Sequence, residues 1–185
     1  MAEMQTTTEV KKERKKAVFS PNVIGGRGEF IFASRITQGF KFSVTFLGEK
    51  HDATDFCIEF KEGKRTYMAY VQVKSTNSIS RNKEKLTIHV TKKDVETIVA
   101  YPYPTYLAGV EIKTEKVYLM GLFKQTDAIS SIPRAHMLSF GSSVDSDEYK
   151  QSAELLDMLK EDIKACWDVL EPDKNMKSVF DSQIA

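Results

Sequence analysis

The chain of 185 residues is 41% hydrophobic and 29% charged, with a formal net charge of +1, as expected for one globular domain with a sizeable core. No apolar run approaches the roughly 20 residues of a membrane span, and the charged N-terminus lacks the apolar stretch of a secretory signal. Cys57 and Cys166 lie far apart and show no metal-ligand spacing. We therefore expect reduced cysteines, a cytoplasmic location and no membrane association.

Opposite charges are concentrated in two separate segments. Residues 61–93 contain nine Lys or Arg and two Glu, whereas residues 143–173 contain ten acidic residues and three Lys. A basic segment within a nearly neutral chain indicates either a local anionic partner or an ordinary solvated face.

The N-terminal part is predicted to be a flexible basic tail, residues 1–18, followed by a helix. Asn22 is a candidate N-cap, and the helix is expected to run to about Gln38 and to end at Gly39. Glycine is unfavourable inside a helix, so three positions predict irregular first turns or a close approach by another group. These are Gly25, Gly26 and Gly28.

Three strands are predicted next. "FSVTFLG" is typical of the first, and "TDFCIEF" and "RTYMAYVQVKST" are typical of a hairpin closed by a Lys-Glu-Gly-Lys turn. Side chains alternate between the two faces of a strand, so Asp55 and Cys57 are expected on the face opposite to the phenylalanines. By the same alternation, Gln72 and Lys74 share one face of the next strand.

The remaining chain continues this mixture of strands and helices. "LTIHV" is predicted as a strand, "TKKDVETIVA" as a helix capped by Thr91 and ended before Pro102, and "TYLAGVEI" and "KVYLMGLF" as a strand pair. After Ser143, apolar residues at helical spacing indicate an amphipathic helix. They are Leu155, Leu156, Leu159, Ile163, Trp167 and Leu170.

This order of elements predicts an α/β (α+β) fold around one mixed, mostly antiparallel sheet flanked by helices. The core is expected within residues 19–125. Residues 126–185 are predicted to form a C-terminal extension whose amphipathic helix packs on the core or on a partner.

Glu29 interrupts an apolar pattern in the first predicted helix. It shares one face with Ala33, Ile36 and Phe40, which follow at steps of three or four residues. An unpaired buried charge is unfavourable, so the glutamate has either a functional role or a partner such as Arg27 or a lysine elsewhere.

Polar residues also occur in the predicted hairpin. Asp55 opens its first strand, where an aspartate can equally serve a turn by bonding to local backbone. Gln72 and Lys74 follow a run of apolar residues, Tyr67–Val71, that is typical of an interior strand. The alternative is an edge strand whose lysine protects against aggregation.

The order of a helix glutamate, an aspartate at a strand start and Gln-x-Lys on the neighbouring strand resembles the PD-(D/E)XK nuclease superfamily. More closely, "GGRGEFIFASRI", "ATDFCIEF" and "YVQVKSTN", with "YPYPTYLAGVE" and "KVYLMGLF" downstream, look like the bacterial domain of unknown function numbered 4365. That family is placed near the Mrr-like branch, in which glutamine replaces the motif carboxylate. The resemblance covers roughly Val23 to Phe123 and implies a restriction-endonuclease-like core with metal-dependent nuclease activity on DNA.

The resemblance implies a metal site formed by Glu29 and Asp55, with neutral ligands in the amide oxygen of Gln72 and the carbonyl of Val73. Oxygen ligands of this kind select Mg²⁺ or Mn²⁺, which neutralise phosphate charge and activate water. Lys74 would orient the attacking water, stabilise the developing charge, or act on the water as a base. Because glutamine replaces a third carboxylate, the site has one negative charge less than the commoner pattern.

The basic segment supplies candidate nucleic-acid contacts that would follow a phosphate backbone without reading its sequence. DNA is the expected partner, RNA stays open, and the resemblance implies bacterial defence or restriction, as a homodimer or with a partner protein. The alternative is a catalytically inactive nuclease-fold module that binds nucleic acid or a partner protein. The candidate contacts are Lys64 and Arg65 at the hairpin turn, Arg81, Lys83 and Lys85 in the next loop, and Lys92 and Lys93 at a helix start, where backbone amides favour phosphate.

Two further residues have both an ordinary and a functional interpretation. His51, four residues before Asp55, is either a phosphate or metal contact or a plain loop histidine. Glu59, on the Asp55 face, is either a spare carboxylate or a solvated strand residue.

Overall fold

The computed structural model describes residues 21–48, 51, 53–79, 84–123, 125–140 and 143–170. Within these ranges the chain forms three helices and eight strands. The helices are α1 (Pro21–Thr37), α2 (Lys92–Val99) and α3 (Asp147–Leu170). The strands are β1 (Ser43–Phe46), β2 (Phe56–Glu62), β3 (Arg65–Thr76), β4 (Lys85–Val90), β5 (Thr105–Glu111), β6 (Lys116–Gly121), β7 (Ile129–Pro133) and β8 (Met137–Leu138).

Six strands form a mixed sheet in the order β1-β2-β3-β5-β6-β8. The central pair, β3 and β5, is parallel, and every other neighbouring pair in this sheet is antiparallel. A parallel pair needs a crossover connection, and here the crossover carries β4 and α2. β4 then pairs with β7 in a separate two-stranded sheet. The predicted mixed α/β fold, with a mostly antiparallel sheet flanked by helices, is confirmed.

The two helices α1 and α3 cover one face of the main sheet. Phe32 and Ile36 of α1 pack with Phe56, Ile58 and Val71 of the β2–β3 hairpin in one buried cluster. The phenylalanines of β2 therefore point away from Asp55 and Cys57, as the alternation predicts.

The small sheet and α2 cover the other face of β5 and β6. Leu86 and Ile132, from β4 and β7, approach β5 at Gly109, where an added Cβ would lie 2.8 and 2.9 Å from their methyl carbons. Because both faces of β5 are covered, all seven of its residues are buried.

The start and end of α1 differ from the sequence-based prediction. The helix begins at Pro21, so the prediction of Asn22 as N-cap is wrong; proline is favoured at a first helical position because its missing N–H has no partner there anyway. The helix ends at Thr37. Phe40 lies beyond it with φ 54° and is 96% exposed, so its predicted place on the apolar stripe is also wrong. The predicted cap of α2 is confirmed: Thr91 forms a capping box with Asp94.

The C-terminal part contributes elements that the sequence did not predict. β7 and β8 extend the small sheet and the main sheet, respectively. α3 buries Leu156, Leu159 and Ile163, and the indole nitrogen of Trp167 donates to the carbonyl of Met68 at 2.8 Å. This predicted amphipathic helix thus packs on the core. The predicted tail, residues 1–18, lies outside the described residues.

Candidate active site

Asp55 lies one residue before β2 and is integrated into the sheet on both sides. Its N–H donates to the carbonyl of Val71 and its carbonyl accepts from Leu47, both at 2.9 Å. Beyond this last backbone pair the side chain replaces the ladder, because Oδ2 accepts the N–H of Val73 at 2.6 Å. The carboxylate is therefore fixed against β3 by backbone geometry.

Gln72 occupies the same junction from the side of β3. Its amide nitrogen donates to Asp55 Oδ2 at 2.5 Å and to the carbonyl of Val73 at 3.2 Å. Gln72 is only 6% exposed, and its buried amide nitrogen has both of its hydrogen-bond partners inside the sheet. Among the described strands, β3 pairs with both β2 and β5 only as far as Val71, and from Gln72 to Thr76 its ladder continues with β5 alone. The interior-strand pattern therefore holds for Tyr67–Val71, whereas Lys74 lies where β3 forms an edge.

Glu29 approaches this junction from α1 and is half-buried. Desolvation raises the pKa of Glu29, and the nearby charge of Asp55 raises it further. The partner considered for it from the sequence, Arg27, pairs instead with Glu115 at 3.5 Å. Glu29 thus lies close enough to Asp55 for their charges to interact, and the helix cation Arg27 is paired elsewhere.

Lys74 lies on the same face of β3 as Gln72 and is half-buried. Burial raises the pKa of Asp55, while the hydrogen bond from Val73 and the charge of Lys74 lower it, and burial outweighs both. Among the described residues, Lys74 forms no ion pair, so its ammonium is available to a ligand. Asp55 is therefore hydrogen-bonded to Gln72 and close enough to Glu29 and Lys74 for their charges to interact.

The donor set fits a hard divalent cation in chemistry. Asp55 Oδ1 and the carboxylate of Glu29 have no hydrogen bond within the described ranges, and the carbonyl of Val73 and the amide of Gln72 add neutral oxygens. Over the same ranges no three His, Cys, Asp or Glu side chains form a metal-binding group. The amide of Gln72 presents nitrogen to Asp55, so its oxygen becomes a ligand only if the planar amide turns over.

The hairpin lysine and arginine lie at the opposite end of β3 from this site. Nine residues separate Arg65 from Lys74, which corresponds to about 30 Å along a strand. Arg65 pairs with Asp168 at 3.6 Å and its guanidinium lies 5.2 Å from the ring centre of Tyr67. The structure therefore does not bring Lys64 and Arg65 to the carboxylates.

The other predicted nucleic-acid contacts lie in the crossover between β3 and β5. Lys85, Lys92 and Lys93 are exposed, and Lys92 is 4.0 Å from Glu96. β4 and α2 cover the face of the sheet that carries Gln72 and Lys74. These three lysines are thus on the Lys74 side of the sheet. Arg81 and Lys83 lie outside the described residues.

A buried ion pair next to the site was not predicted from the sequence. Glu111 is 1% exposed, accepts from the guanidinium of Arg134 at 3.0 Å and from the hydroxyl of Thr114 at 2.7 Å. Arg134 also donates to the hydroxyl of Tyr118 at 3.0 Å. Strand pairing places Glu111 directly beside Thr76, two residues past Lys74. A glutamate ending the apolar run "TYLAGVE" was the available signal, but its partner lies 23 residues away outside any predicted element.

The additional candidates lie at the margin of the site. The ring of His51 is centred 6.2 Å from that of Tyr70, two residues before Gln72. Glu59 lies four residues along β2 from Asp55, about 13 Å away, and does not join the carboxylates. Burial raises the pKa of the Cys57 thiol to about 11, which makes it a poor nucleophile.

No protein-family model matches the chain, and no curated protein sequence matches it. None of the described helices is long and apolar enough to cross a membrane. The resemblance to the PD-(D/E)XK superfamily therefore stays a prediction, based on short motifs whose key residues converge at one junction of helix and sheet.

Proposed function

We propose that the protein is a metal-dependent nuclease that hydrolyses phosphodiester bonds of DNA. The observation that carries this proposal is the convergence of Glu29, Asp55, Gln72 and Lys74 at one end of β3, with Asp55 fixed by the backbone of Val73. The order and type of these residues are those of the superfamily that the sequence resembles.

Glu29 and Asp55 would hold Mg²⁺ or Mn²⁺, together with the carbonyl of Val73 and the amide oxygen of Gln72. When bound there, the cation supplies charge neutralisation at the phosphate and lowers the pKa of a coordinated water. Oδ2 of Asp55 already accepts two hydrogen bonds, which leaves Oδ1 to bind the cation. Burial of the carboxylates favours their neutral forms, so an opposite charge between them relieves an unfavourable arrangement.

Lys74 supplies the positive charge that is not a metal ligand. Its ammonium would donate to a phosphate oxygen or orient the attacking water. In either role it would lie next to the negative charge that develops in the transition state. Exposed lysines on the same side of the sheet, Lys85, Lys92 and Lys93, would contact the flanking phosphates. Duplex DNA, single-stranded DNA and RNA share this backbone chemistry, so the assay must compare them.

The test is cleavage of plasmid DNA, single-stranded DNA and RNA with Mg²⁺ or Mn²⁺ by wild type, Asp55→Ala and Lys74→Ala. Loss of either group should lower the rate by about 10²- to 10³-fold, the range found when a charge-stabilising group is removed. Lys116→Ala is a matched control, since this lysine is also half-buried on a strand of the sheet but lies on β6. Equal rates in all four proteins would refute the proposed nuclease.

A second candidate function is a nuclease-fold module that binds nucleic acid or a partner protein without cutting. The amide nitrogen of Gln72 donates to Asp55 and to the carbonyl of Val73, so both of its hydrogen atoms have partners within the protein, which favours this alternative. Salt-dependent DNA binding that survives Lys74→Ala, together with no cleavage under either cation, would support it over the enzyme.

We also propose, on the resemblance alone, a cytoplasmic protein that acts in bacterial defence or restriction. A homodimer would bring two sites to the two strands of a duplex. Light scattering with and without DNA measures this directly, and a monomer on a duplex would limit the proposed activity to one strand at a time.

A further inference from the structure

α1 approaches the sheet closely at Gly28 and Ser75. A Cβ added to Gly28 would lie 1.6 Å from Ser75 Oγ and 2.7 Å from Ser75 Cβ. Both distances are far below van der Waals contact, so no larger residue fits at position 28 without a shift of helix or strand. The glycine that appeared costly in the sequence is thus required by a contact between two elements.

This contact is adjacent in the chain to two residues of the candidate site. Gly28 precedes Glu29 on α1, and Ser75 follows Lys74 on β3. Alternation along the strand directs Ser75 towards α1 and Lys74 to the opposite face, while Glu29 leaves the helix about 100° further round than Gly28. The depth at which α1 lies on β3 therefore determines how far the Glu29 carboxylate reaches towards Asp55.

Neither residue has another evident role in the described structure. The hydroxyl of Ser75 is buried without a hydrogen-bond partner, so it does not anchor the strand. Gly28 lies in the middle of α1 and has no left-handed backbone angle that would require glycine. Their shared property is small size at the point of contact.

We propose that Gly28 and Ser75 are positioning residues, which set the separation between Glu29 and the Asp55–Gln72 pair by fixing the distance of α1 from β3. This inference rests on the proposed function, because it assigns the spacing of the two metal-binding carboxylates to that contact. It concerns distance, however, and can be decided even if the protein does not cut DNA.

The test compares Gly28→Ala with the double variants Gly28→Ala/Ser75→Gly and Gly28→Ala/Ser75→Ala. Ser75→Gly removes both clashing atoms, after which the nearest neighbour of the new methyl group is Val110 Cβ at 3.7 Å, an ordinary van der Waals distance. Ser75→Ala keeps the Cβ at 2.7 Å and should rescue only in part. Gly26→Ala is the matched control, because the same helix offers open space there, with no atom within 4 Å of the added Cβ.

Two measurements are made on each folded variant. Crystal structures give the Glu29–Asp55 carboxylate separation, and calorimetric titration with Mn²⁺ alone gives the metal affinity. Gly28→Ala should lengthen the separation and weaken Mn²⁺ binding by about 10- to 100-fold, as for other residues that orient metal ligands. Ser75→Gly in the same chain should restore both, whereas Gly26→Ala should change neither.

An unchanged carboxylate separation in Gly28→Ala, or a lengthened one that Ser75→Gly does not restore, would overturn the inference. If Gly28→Ala does not fold, Ser75→Thr replaces it as the variant that adds bulk, here one methyl group from the strand side. Wild-type protein that binds no Mn²⁺ would refute the proposed function, and the separations would still decide the positioning role.

Discussion

Gln72 and Asp55, 17 residues apart, are joined by a 2.5 Å hydrogen bond between an amide nitrogen and a carboxylate oxygen. The bond crosses from β3 to the start of β2 and shares its acceptor with the N–H of Val73. It explains why a buried position of β3 carries a glutamine: the amide stabilises the one carboxylate that the sheet buries at this point. Two of the candidate catalytic residues, Asp55 and Gln72, are therefore also part of the fold's hydrogen-bonding network.

Asp55→Ala should consequently destabilise the protein as well as remove activity. The substitution leaves the Val73 N–H and the Gln72 amide without their acceptor, and an unsatisfied buried donor costs about 1–3 kcal/mol. The desolvation that raises the pKa of Asp55 offsets part of this cost, so we expect a net loss of about 2 kcal/mol. Urea denaturation at neutral pH measures it. Asp127→Ala, at an exposed aspartate, should change the unfolding free energy by less than about 0.5 kcal/mol.

The sequence alone was enough to predict this part of the site for a physical reason. Strand alternation is local, so Gln72 and Lys74 had to share a face once "YMAYVQV" formed a strand. The hairpin then brings Asp55 opposite Gln72, because the last ladder pair joins Phe56 to Val71. Only the approach of Glu29 required tertiary information, since nothing local states which strand a helix packs against.

Other features depend on distant pairings and were missed for that reason. β8 has two residues, too few for any periodic pattern, and forms by antiparallel pairing with β6. β7 ends in Pro133 and pairs with β4 through an irregular register. The partner of Glu111 lies in the turn after this unpredicted strand, so the buried ion pair could not be recognised. The parallel pairing of β3 and β5 likewise depends on the crossover through β4 and α2, and no sequence motif predicts that crossover.

The free energy of unfolding should fall as pH rises from 4.5 towards neutrality, through the contribution of Glu29. A carboxyl whose pKa is raised on folding, as burial and then Asp55 raise that of Glu29, binds its proton more tightly in the folded state. The resulting stabilisation is present below the ordinary pKa of 4.5 and is lost as pH rises through the higher folded pKa. Wild type should therefore lose stability relative to Glu29→Gln between pH 4.5 and neutrality. Urea midpoints at both ends of this range measure the difference.

Glu62→Gln provides a control of opposite sign. A hydrogen bond from Lys164 is the largest cause that lowers the pKa of Glu62, so this carboxyl stabilises the folded state above its ordinary pKa of 4.5. Wild type should gain stability relative to Glu62→Gln as pH rises from acid, with the gain lost again as pH falls through the lowered folded pKa. The same trend in both variants would contradict the assignment of the Glu29 shift to burial and Asp55.

Gln72→Glu tests whether the missing carboxylate limits metal binding. The new carboxylate would face Asp55 within hydrogen-bonding distance, and two such groups cannot both be ionised without a cation between them. We expect lower stability than wild type at neutral pH in the absence of metal, by about 2 kcal/mol, and a smaller deficit at pH 5. With Mn²⁺ the third carboxylate should tighten binding at least about tenfold, equivalent to about 1.4 kcal/mol.

The control for this variant is Gln151→Glu, which adds the same charge on the exposed surface of α3. It should alter neither the pH dependence nor the Mn²⁺ affinity. If Gln72→Glu weakens Mn²⁺ binding, position 72 does not face the metal and the proposed ligand set is wrong there.

The buried ion pair should be more important to stability than any surface pair. Arg134→Met removes the guanidinium from Glu111, whose side chain is 2% exposed, and breaking such a pair costs about 3 kcal/mol or more. The double variant Glu111→Gln/Arg134→Met should recover a large part of that loss, because no buried charge is then left unpaired. Denaturation of the two single variants and the double variant gives the coupling energy; additive losses would show that the pair is not energetically coupled.

Metal binding should stabilise the folded protein through the two carboxylates. A ligand that binds only the folded state at a concentration 100 times its dissociation constant adds about 2.7 kcal/mol, which for a domain of this size raises the melting temperature by roughly 8 °C. Mn²⁺ should produce this shift in wild type. Glu29→Gln should reduce it, and Asp55→Asn should abolish it, since each removes a charged ligand. Glu154→Gln, at an exposed glutamate of α3, should retain the full shift. A shift of equal size in Asp55→Asn and wild type would place the cation at a different site.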